Sequence, residues 1–172
     1  MQVNSKLQVL PWYNYPLIAF LESYINPSMN IFEFGTGFST IFYAQNNCNV
    51  YGVECNIEWI EKVQALSTMH NLEQNIAIEF CPKSHEIARY IHNVEASIKF
   101  DAIVVDSYNR IECLIEAKKR DCDVIILDNS ERPNLERACE IMQGFDVLKF
   151  KGVGPNRNAE SESLVFHKNL AF

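Results

Sequence analysis

The chain lacks any long hydrophobic segment: none of its 172 residues belongs to a run approaching the roughly 20 apolar residues that a membrane helix needs. Residues 1–10 show no basic segment leading into an apolar core, so we expect no secretory signal and a cytoplasmic location. Internal repeats and low-complexity linkers are also absent. These absences argue against a membrane protein and predict one folded domain over residues 1–172, with a helical extension at 1–29.

Clustered basic residues and paired cysteines are missing as well. The chain has 15 Lys and Arg against 22 Asp and Glu, a net charge of −7, and its only basic run is Lys118-Lys119-Arg120. Such a charge repels polyanions at long range, so we expect no nucleic acid partner. The six cysteines form no C-x-x-C pair, which predicts neither a zinc site nor a redox motif but reduced core residues.

What the chain has instead is an alternation of short apolar runs with helical patterns. Three inward-facing stripes at helical spacing are Trp59, Val63 and Leu66; Ile87, Ile91 and Val94; and Leu135, Ala138, Cys139 and Met142. The first stripe predicts core packing for Trp59. Runs such as 124–127 are apolar on both faces, which suits a parallel sheet covered by helices on each side. The predicted fold is therefore α/β, a doubly wound and mostly parallel sheet of about seven strands. The predicted parallel strands are residues 30–34, 50–54, 76–80, 100–105 and 124–127.

The two ends of the chain depart from this alternation. Residues 145–151 and 163–167 are strand patterns with no helix between them, which predicts an antiparallel hairpin at the sheet edge. The intervening segment 152–160 is predicted to be a loop that either borders the acceptor pocket or faces solvent. Residues 15–25, closed by Pro27, have the pattern of an amphipathic helix that pads the sheet.

The most informative segment is Glu33-Phe34-Gly35-Thr36-Gly37, which joins the first predicted strand to a helix. Gly35 and Gly37 allow the backbone to turn sharply and approach a ligand, and the following helix presents unpaired N–H groups. Ligands of doubly wound sheets lie beyond the carboxyl ends of the strands. Because Glu33 lies in this loop and Glu54 ends the second strand, the pattern indicates a nucleoside cofactor.

This combination resembles the class I S-adenosylmethionine-dependent methyltransferases over about residues 31–166. The resemblance implies a Rossmann-like sheet with a C-terminal antiparallel hairpin, S-adenosylmethionine as cofactor, and methyl transfer, with O-methylation as one form of it. It places Glu33 at the amino group of the cofactor and Glu54 at the ribose hydroxyls. The other residues implied for cofactor binding are Gly35, Thr36, Gly37, Ser39, Thr40, Cys55, Pro82, Lys83, Ser84 and Asp106.

The polar residues that follow the fourth and fifth predicted strands are candidates for catalysis and for binding the methyl acceptor. Asp106, after the fourth strand, is the predicted catalytic residue. A likeness to catechol-type O-methyltransferases implies that Asp106, Asp128 and Asn129 hold Mg²⁺ or a similar cation, since oxygen ligands suit hard divalent ions. Arg110 and Arg132 are predicted to bind an anionic substrate, or else to form ordinary surface ion pairs.

Two other functions stay open at this stage. An NAD-dependent oxidoreductase also has a glycine loop followed by an acid, but here the third glycine position is Thr40 and Glu33 would face the pyrophosphate. A non-catalytic binding module could retain the same residues without turnover. The expected acceptor is a small molecule or an accessible side chain, and the sequence does not indicate which, nor does it indicate the oligomeric state.

Overall fold

The computed structural model describes residues 8–133, 135–155 and 157–170. Its helices and strands are α1 (Tyr15–Tyr24), β1 (Asn30–Phe34), α2 (Phe38–Gln45), β2 (Asn49–Glu54), α3 (Ile57–His70), β3 (Ile76–Phe80), β4 (Ala102–Val105), α4 (Arg110–Lys118), β5 (Val124–Asp128), α5 (Ala138–Ile141), β6 (Asp146–Gly154) and β7 (Arg157–His167), with 3-10 helices at Glu73–Asn75 and Ser84–Asn93. The strands form one sheet in the order β3-β2-β1-β4-β5-β7-β6. Strands β1 to β5 pair in parallel, whereas β7 is antiparallel to both β5 and β6.

The central strands are apolar on both faces because both faces of the sheet are covered. Every side chain of β4 and β5 is buried. Ile103 and Leu127 belong to the cluster that packs against the 3-10 helix Ser84–Asn93, α4 and α5. Val104 and Ile126 belong to the cluster that packs against α1 and α2. The predicted doubly wound α/β fold is thus confirmed. No helix in the described ranges has the length and hydrophobicity of a membrane span.

The local patterns located the parallel strands well and the later elements less well. Each of these strands begins and ends within two residues of its predicted bounds. The stripe containing Ile87 and Ile91 forms a 3-10 helix with both side chains buried. The pattern from Leu135 to Met142 yields only the short helix α5, although both end residues are buried.

The predicted loop at 152–160 is wrong, because β6 and β7 extend through most of it. Asn156 lies outside the described residues. The glycines interpreted as loop residues serve close packing instead: a Cβ on Gly154 would lie 2.4 Å from the carbonyl oxygen of Tyr13, and one on Gly152 would lie 3.0 Å from Cδ of Pro16. The end of the hairpin therefore packs directly on the segment that leads into α1.

Candidate functional site

The candidate site lies where the strand order reverses, beyond the carboxyl ends of β1 and β4. Gly35 follows β1 with a φ of +87°, a conformation that L side chains rarely adopt. A Cβ on Gly35 would lie 2.3 Å from the carbonyl oxygen of Asp106. The Gly35 N–H donates to the Val53 carbonyl at 2.9 Å, and the Asp106 N–H donates to the Phe34 carbonyl at 2.9 Å. Glycine is required here because the loop crosses the end of β4 in direct contact.

Glu54, at the end of β2, holds this loop through its carboxylate. Its Oε2 accepts the Thr36 backbone N–H at 3.0 Å. Its Oε1 accepts the backbone N–H groups of Cys55 and Asn56 at 2.7 and 2.8 Å. Because a carboxylate oxygen accepts about two hydrogen bonds, Oε1 is saturated while Oε2 retains one position for a ligand. Glu54 is only 7% exposed, so that position is sheltered from bulk water.

Glu33 is a fully buried carboxylate beneath the loop. The Thr40 hydroxyl accepts the Gly37 N–H at 3.0 Å and donates to Oε2 of Glu33 at 2.5 Å. The other oxygen, Oε1, has no hydrogen-bond partner among the described residues. Burial raises the pKa of Glu33 from 4.5 to about 7, although the hydroxyls of Ser39 and Thr40 oppose the rise. A cationic ligand would satisfy both the charge and the unpaired oxygen.

A cavity of about 290 Å³ opens beside these groups. The predicted residues that line it are Gly35, Thr36, Gly37, Ser39, Glu54, Cys55, Asp106, Arg110 and Arg132. Glu33 and Thr40 lie buried behind this lining and support it. The structure therefore brings together most of the residues that the sequence assigned to cofactor and acceptor.

An aromatic wall of Trp12, Phe38 and Trp59 also lines the cavity. The Trp12 ring is 42% exposed, and its centroid lies 5.0 Å from that of Phe38 and 5.5 Å from that of Trp59. The helical stripe suggested core packing for Trp59, yet the residue is half-buried at the cavity. The sequence did not indicate Trp12 or Phe38, because only the fold brings the segment before α1 beside α2 and α3. Tyr13 and Ile87 are further lining residues that belonged to no predicted site, whereas Ser107 and Tyr108 belong to the polar strand end after β4.

Three residues predicted for cofactor binding do not reach the cavity. Pro82, Lys83 and Ser84 are exposed and do not line it. Lys83 pairs with Glu86 at 3.3 Å, and the Ser84 carbonyl accepts from Asn109 Nδ2 at 2.9 Å. The segment leads outward into its 3-10 helix, and a side chain reaches the cavity only at Ile87.

The residues predicted to bind a metal ion surround an arginine instead. Arg110, 6% exposed, donates from Nη2 to Asp106 Oδ1 at 2.5 Å and to Asn129 Oδ1 at 3.4 Å. Its Nε donates to the Asp128 backbone oxygen at 3.0 Å, while Asp128 Oδ1 accepts from Ser163 at 2.7 Å. The described residues include no cluster of three or more His, Cys, Asp or Glu side chains able to hold a metal. These donors do not fit a divalent cation, because a guanidinium already neutralises them.

Asp128 takes part in a hydrogen-bonded relay that anchors the N-terminal segment. The Ser163 hydroxyl that donates to Asp128 accepts a hydrogen bond from Asn14 Nδ2 at 2.9 Å. Asn14 also caps α1, since its Oδ1 accepts the Leu17 N–H at 3.0 Å. All three polar side chains of this relay are buried. The relay fixes the residues immediately before α1, including Trp12 and Tyr13, against β5 and β7.

Replacing Ser163 with alanine tests this relay. We expect Ser163→Ala to lower the free energy of unfolding by about 2 kcal/mol, because Asn14 and Asp128 each lose a buried partner. Ser161→Ala is the matched control, since Ser161 is equally buried on the same strand and lies outside the relay. Urea unfolding monitored by tryptophan fluorescence measures both variants. Equal stability of the two variants would contradict a specific role for Ser163.

No protein-family model matches the sequence, and no curated protein sequence matches it. Solved structures do match. An O-methyltransferase from Bacillus cereus in complex with S-adenosylhomocysteine has a TM-score of 0.72 at 19% identity, covering 92% of this chain and 84% of that one.

Two further structures extend the likeness. TomG from Streptomyces achromogenes, an O-methyltransferase of tomaymycin synthesis in complex with S-adenosylmethionine, has a TM-score of 0.71 at 16% identity over 88% of this chain and 78% of its own. TrmK from M. capricolum, in complex with S-adenosylhomocysteine, has a TM-score of 0.65 at 15% identity over 94% of this chain and 70% of its own.

These structural neighbours are class I S-adenosylmethionine-dependent methyltransferases, mainly O-methyltransferases. The chain therefore has the Rossmann-like fold of that class, as the sequence predicted. At identities of 19% or less the likeness shows the fold alone, so the reaction must be argued from the site itself.

Proposed function

We propose that this protein is an S-adenosylmethionine-dependent methyltransferase. The observation that carries the proposal is the pair of buried carboxylates, Glu33 and Glu54, placed on either side of the glycine loop. Each has an oxygen with acceptor capacity to spare. A cofactor with an ammonium group at one end and ribose hydroxyls in the middle matches that arrangement.

The buried carboxylate of Glu33 argues against NAD as the cofactor. In dinucleotide-binding sheets the pyrophosphate lies against the first glycine loop and the helix that follows it. Here the fully buried Glu33 lies beneath that loop, linked to it through Thr40. A dianionic pyrophosphate beside this carboxylate would be repelled, because water screens a fully buried charge poorly. A cofactor with positive sulfonium and ammonium groups is attracted instead.

Each end of the cofactor has an assigned partner in this proposal. Oε1 of Glu33, behind the cavity lining, pairs with the ammonium group directly or through a water molecule. The Thr36 hydroxyl, which is buried without a partner among the described residues, binds the amino-acid part. Oε2 of Glu54 accepts one ribose hydroxyl, because the backbone N–H groups of Thr36, Cys55 and Asn56 already use the other positions of the carboxylate. The backbone around loop 35–37 is preorganised by these bonds before the cofactor binds.

Methyl transfer then proceeds by in-line displacement in the cavity. The acceptor atom forms a bond to the methyl carbon as the carbon–sulfur bond breaks, and the bonding electron pair stays on sulfur as the neutral thioether of S-adenosylhomocysteine. The acceptor loses a proton, for which Asp106, 36% exposed at the cavity, is the candidate base. Positioning and exclusion of water supply much of the rate in such a reaction. No step is assigned to a metal ion.

Titration calorimetry with S-adenosylhomocysteine and with NAD tests the cofactor assignment. We expect the first to bind and the second not to bind. Glu54→Ala should weaken S-adenosylhomocysteine about 10- to 100-fold, because it removes a charged acceptor of the ligand and releases the loop. Glu58→Ala, an equal charge change at an exposed position of α3, should leave the affinity close to that of the wild type.

Three outcomes separate the alternatives. Binding of NAD alone would overturn the proposal in favour of an oxidoreductase. Binding of neither ligand would indicate a protein that has the methyltransferase-like fold but does not bind the cofactor. If S-adenosylhomocysteine binds, transfer of a labelled methyl group from S-adenosylmethionine to a panel of hydroxyl and amine acceptors tests turnover, and no transfer to any acceptor would favour a binding module.

A further inference from the structure

Arg110 is the central group of the polar cluster at the ends of β4 and β5. Its guanidinium contacts the three residues that the sequence assigned to a metal ion: Asp106 Oδ1, Asn129 Oδ1 and the backbone oxygen of Asp128. It also donates from Nη1 to the Ser107 carbonyl. These bonds use four of the five N–H donors of the side chain, so one N–H of Nη1 is left for a ligand. The arginine is 6% exposed and lines the cavity.

Arg132 brings a second positive charge to the same wall of the cavity. Its Nη2 donates to Asn129 Oδ1 at 2.9 Å, so one amide oxygen joins the two guanidinium groups. The carboxylate of Asp106 is paired with Arg110, and the buried carboxylate of Asp128 also acts electrostatically on that guanidinium.

Asn129 adds a second observation at this cluster. The residue is 2% exposed, with a φ of +55°, and its Nδ2 has no hydrogen-bond partner in the described ranges. An unsatisfied buried donor is costly, and one beside two guanidinium groups calls for an acceptor that carries negative charge. Water is a weaker partner for this set of donors than an anion.

We propose, on the basis of the methyltransferase function above, that the acceptor is a small molecule bearing a carboxylate or phosphate, bound by Arg132 and the remaining N–H of Arg110 without a divalent cation. The guanidinium of Arg110 supplies the positive charge that a metal ion would supply elsewhere. Arg132 supplies the fork of donors that binds an anionic group in two places. The aromatic wall of Trp12, Phe38 and Trp59 borders the same cavity and offers an apolar face to a planar acceptor.

Matched probes test the charge requirement. Calorimetry on the protein saturated with S-adenosylhomocysteine compares 4-hydroxybenzoate, phenyl phosphate and the neutral 4-hydroxybenzamide. We expect at least one anion to bind about tenfold or more tightly than the amide, and the better of the two identifies the anionic group. Equal binding of all three, or preference for the amide, would overturn the proposal.

Two variants test whether Arg132 causes the preference for an anion over the neutral amide. Arg132→Gln should abolish the difference between anion and amide, while Arg137→Gln, the same charge change at an exposed residue that does not line the cavity, should preserve it. An unchanged preference in Arg132→Gln would contradict the assignment. Affinity for S-adenosylhomocysteine is measured first in every variant, so a failure of the cofactor assignment is seen separately from a failure of the acceptor assignment.

Metal titration tests the proposal that the acceptor binds without a divalent cation. Mg²⁺ and Mn²⁺ added to the wild-type protein should give no saturable heat, with or without S-adenosylhomocysteine, and a chelator should leave binding of the anionic probe unchanged. Stoichiometric binding of either ion that Asp106→Asn removes would show that Arg110 does not replace a metal ion.

Discussion

Replacement of Gly35 by alanine is expected to lower the free energy of unfolding by about 3 kcal/mol or more. Two effects combine at this residue. The φ of +87° is strained for any L side chain, and the new Cβ would lie 2.3 Å from a backbone carbonyl that cannot rotate away. Relief of that contact requires β1 and β4 to separate where both are fully buried. Urea unfolding provides the measurement.

Gly37→Ala is the matched control two residues away. Gly37 has an extended φ of −177°, and a Cβ there meets no atom within 4 Å. We expect the stability of this variant to stay within about 1 kcal/mol of the wild type. Because Gly37 lines the cavity, the added methyl should still weaken S-adenosylhomocysteine binding. Similar unfolding curves for the two alanine variants would refute the close contact at Gly35.

The second large effect is expected at Glu33, where stability and binding should change in opposite directions. Glu33→Gln removes the cost of an ionised carboxylate in a fully buried position. The variant without ligand should therefore be more stable than the wild type near neutral pH, by at most about 3 kcal/mol. Its affinity for S-adenosylhomocysteine should fall by about 30-fold or more, since the amide gives the ammonium group no opposite charge.

The pH dependence follows from the raised pKa of Glu33. Burial favours the neutral acid in the folded protein, so the pKa rises from 4.5 to about 7. A raised acid pKa means that the unfolded chain ionises first, and stability falls as the pH rises from 4.5 to 7. This fall should be smaller in Glu33→Gln. The affinity for S-adenosylhomocysteine should change with pH in the opposite direction to stability, because the ammonium group of the ligand needs an ionised carboxylate. The affinity of the wild type should therefore rise from about pH 6 to about pH 8.

Thermal unfolding across this pH range tests the predicted fall in stability, and calorimetry tests the predicted rise in affinity. Glu61→Gln, an exposed position on α3, is the control for loss of one negative charge. An affinity of the wild type that is independent of pH, or a Glu33→Gln variant that binds S-adenosylhomocysteine as tightly as the wild type, would remove Glu33 from the cofactor site.

The central position of Arg110 among the predicted metal ligands was hidden from the sequence. Asp106, Asp128 and Asn129 follow buried strands, and their residue types suit a divalent cation. Only coordinates show that Asp128 Oδ1 bonds to Ser163 and that the Arg110 guanidinium occupies the centre of the group. Sequence position fixes where a strand ends but not which way the side chain beyond it turns.

The amino-acid sequence by itself determined the structural elements that depend only on neighbouring residues. The apolar runs that form β1 to β5 and the glycine loop are read from neighbouring residues, and so is the acid at the end of β2. Periodicity and backbone freedom act over a few residues, so the pattern is sufficient to predict the fold and the cofactor edge.

The tertiary structure decided what depends on distant contacts. The bond from Asn14 to Ser163 joins residues 149 positions apart, and the close approach of Gly154 to Tyr13 turns a predicted loop into a packed strand. The aromatic wall joins Trp12 to Phe38 and Trp59 in the same way. Such contacts form only when the sheet has assembled, because packing selects partners by position in space and not by spacing along the chain.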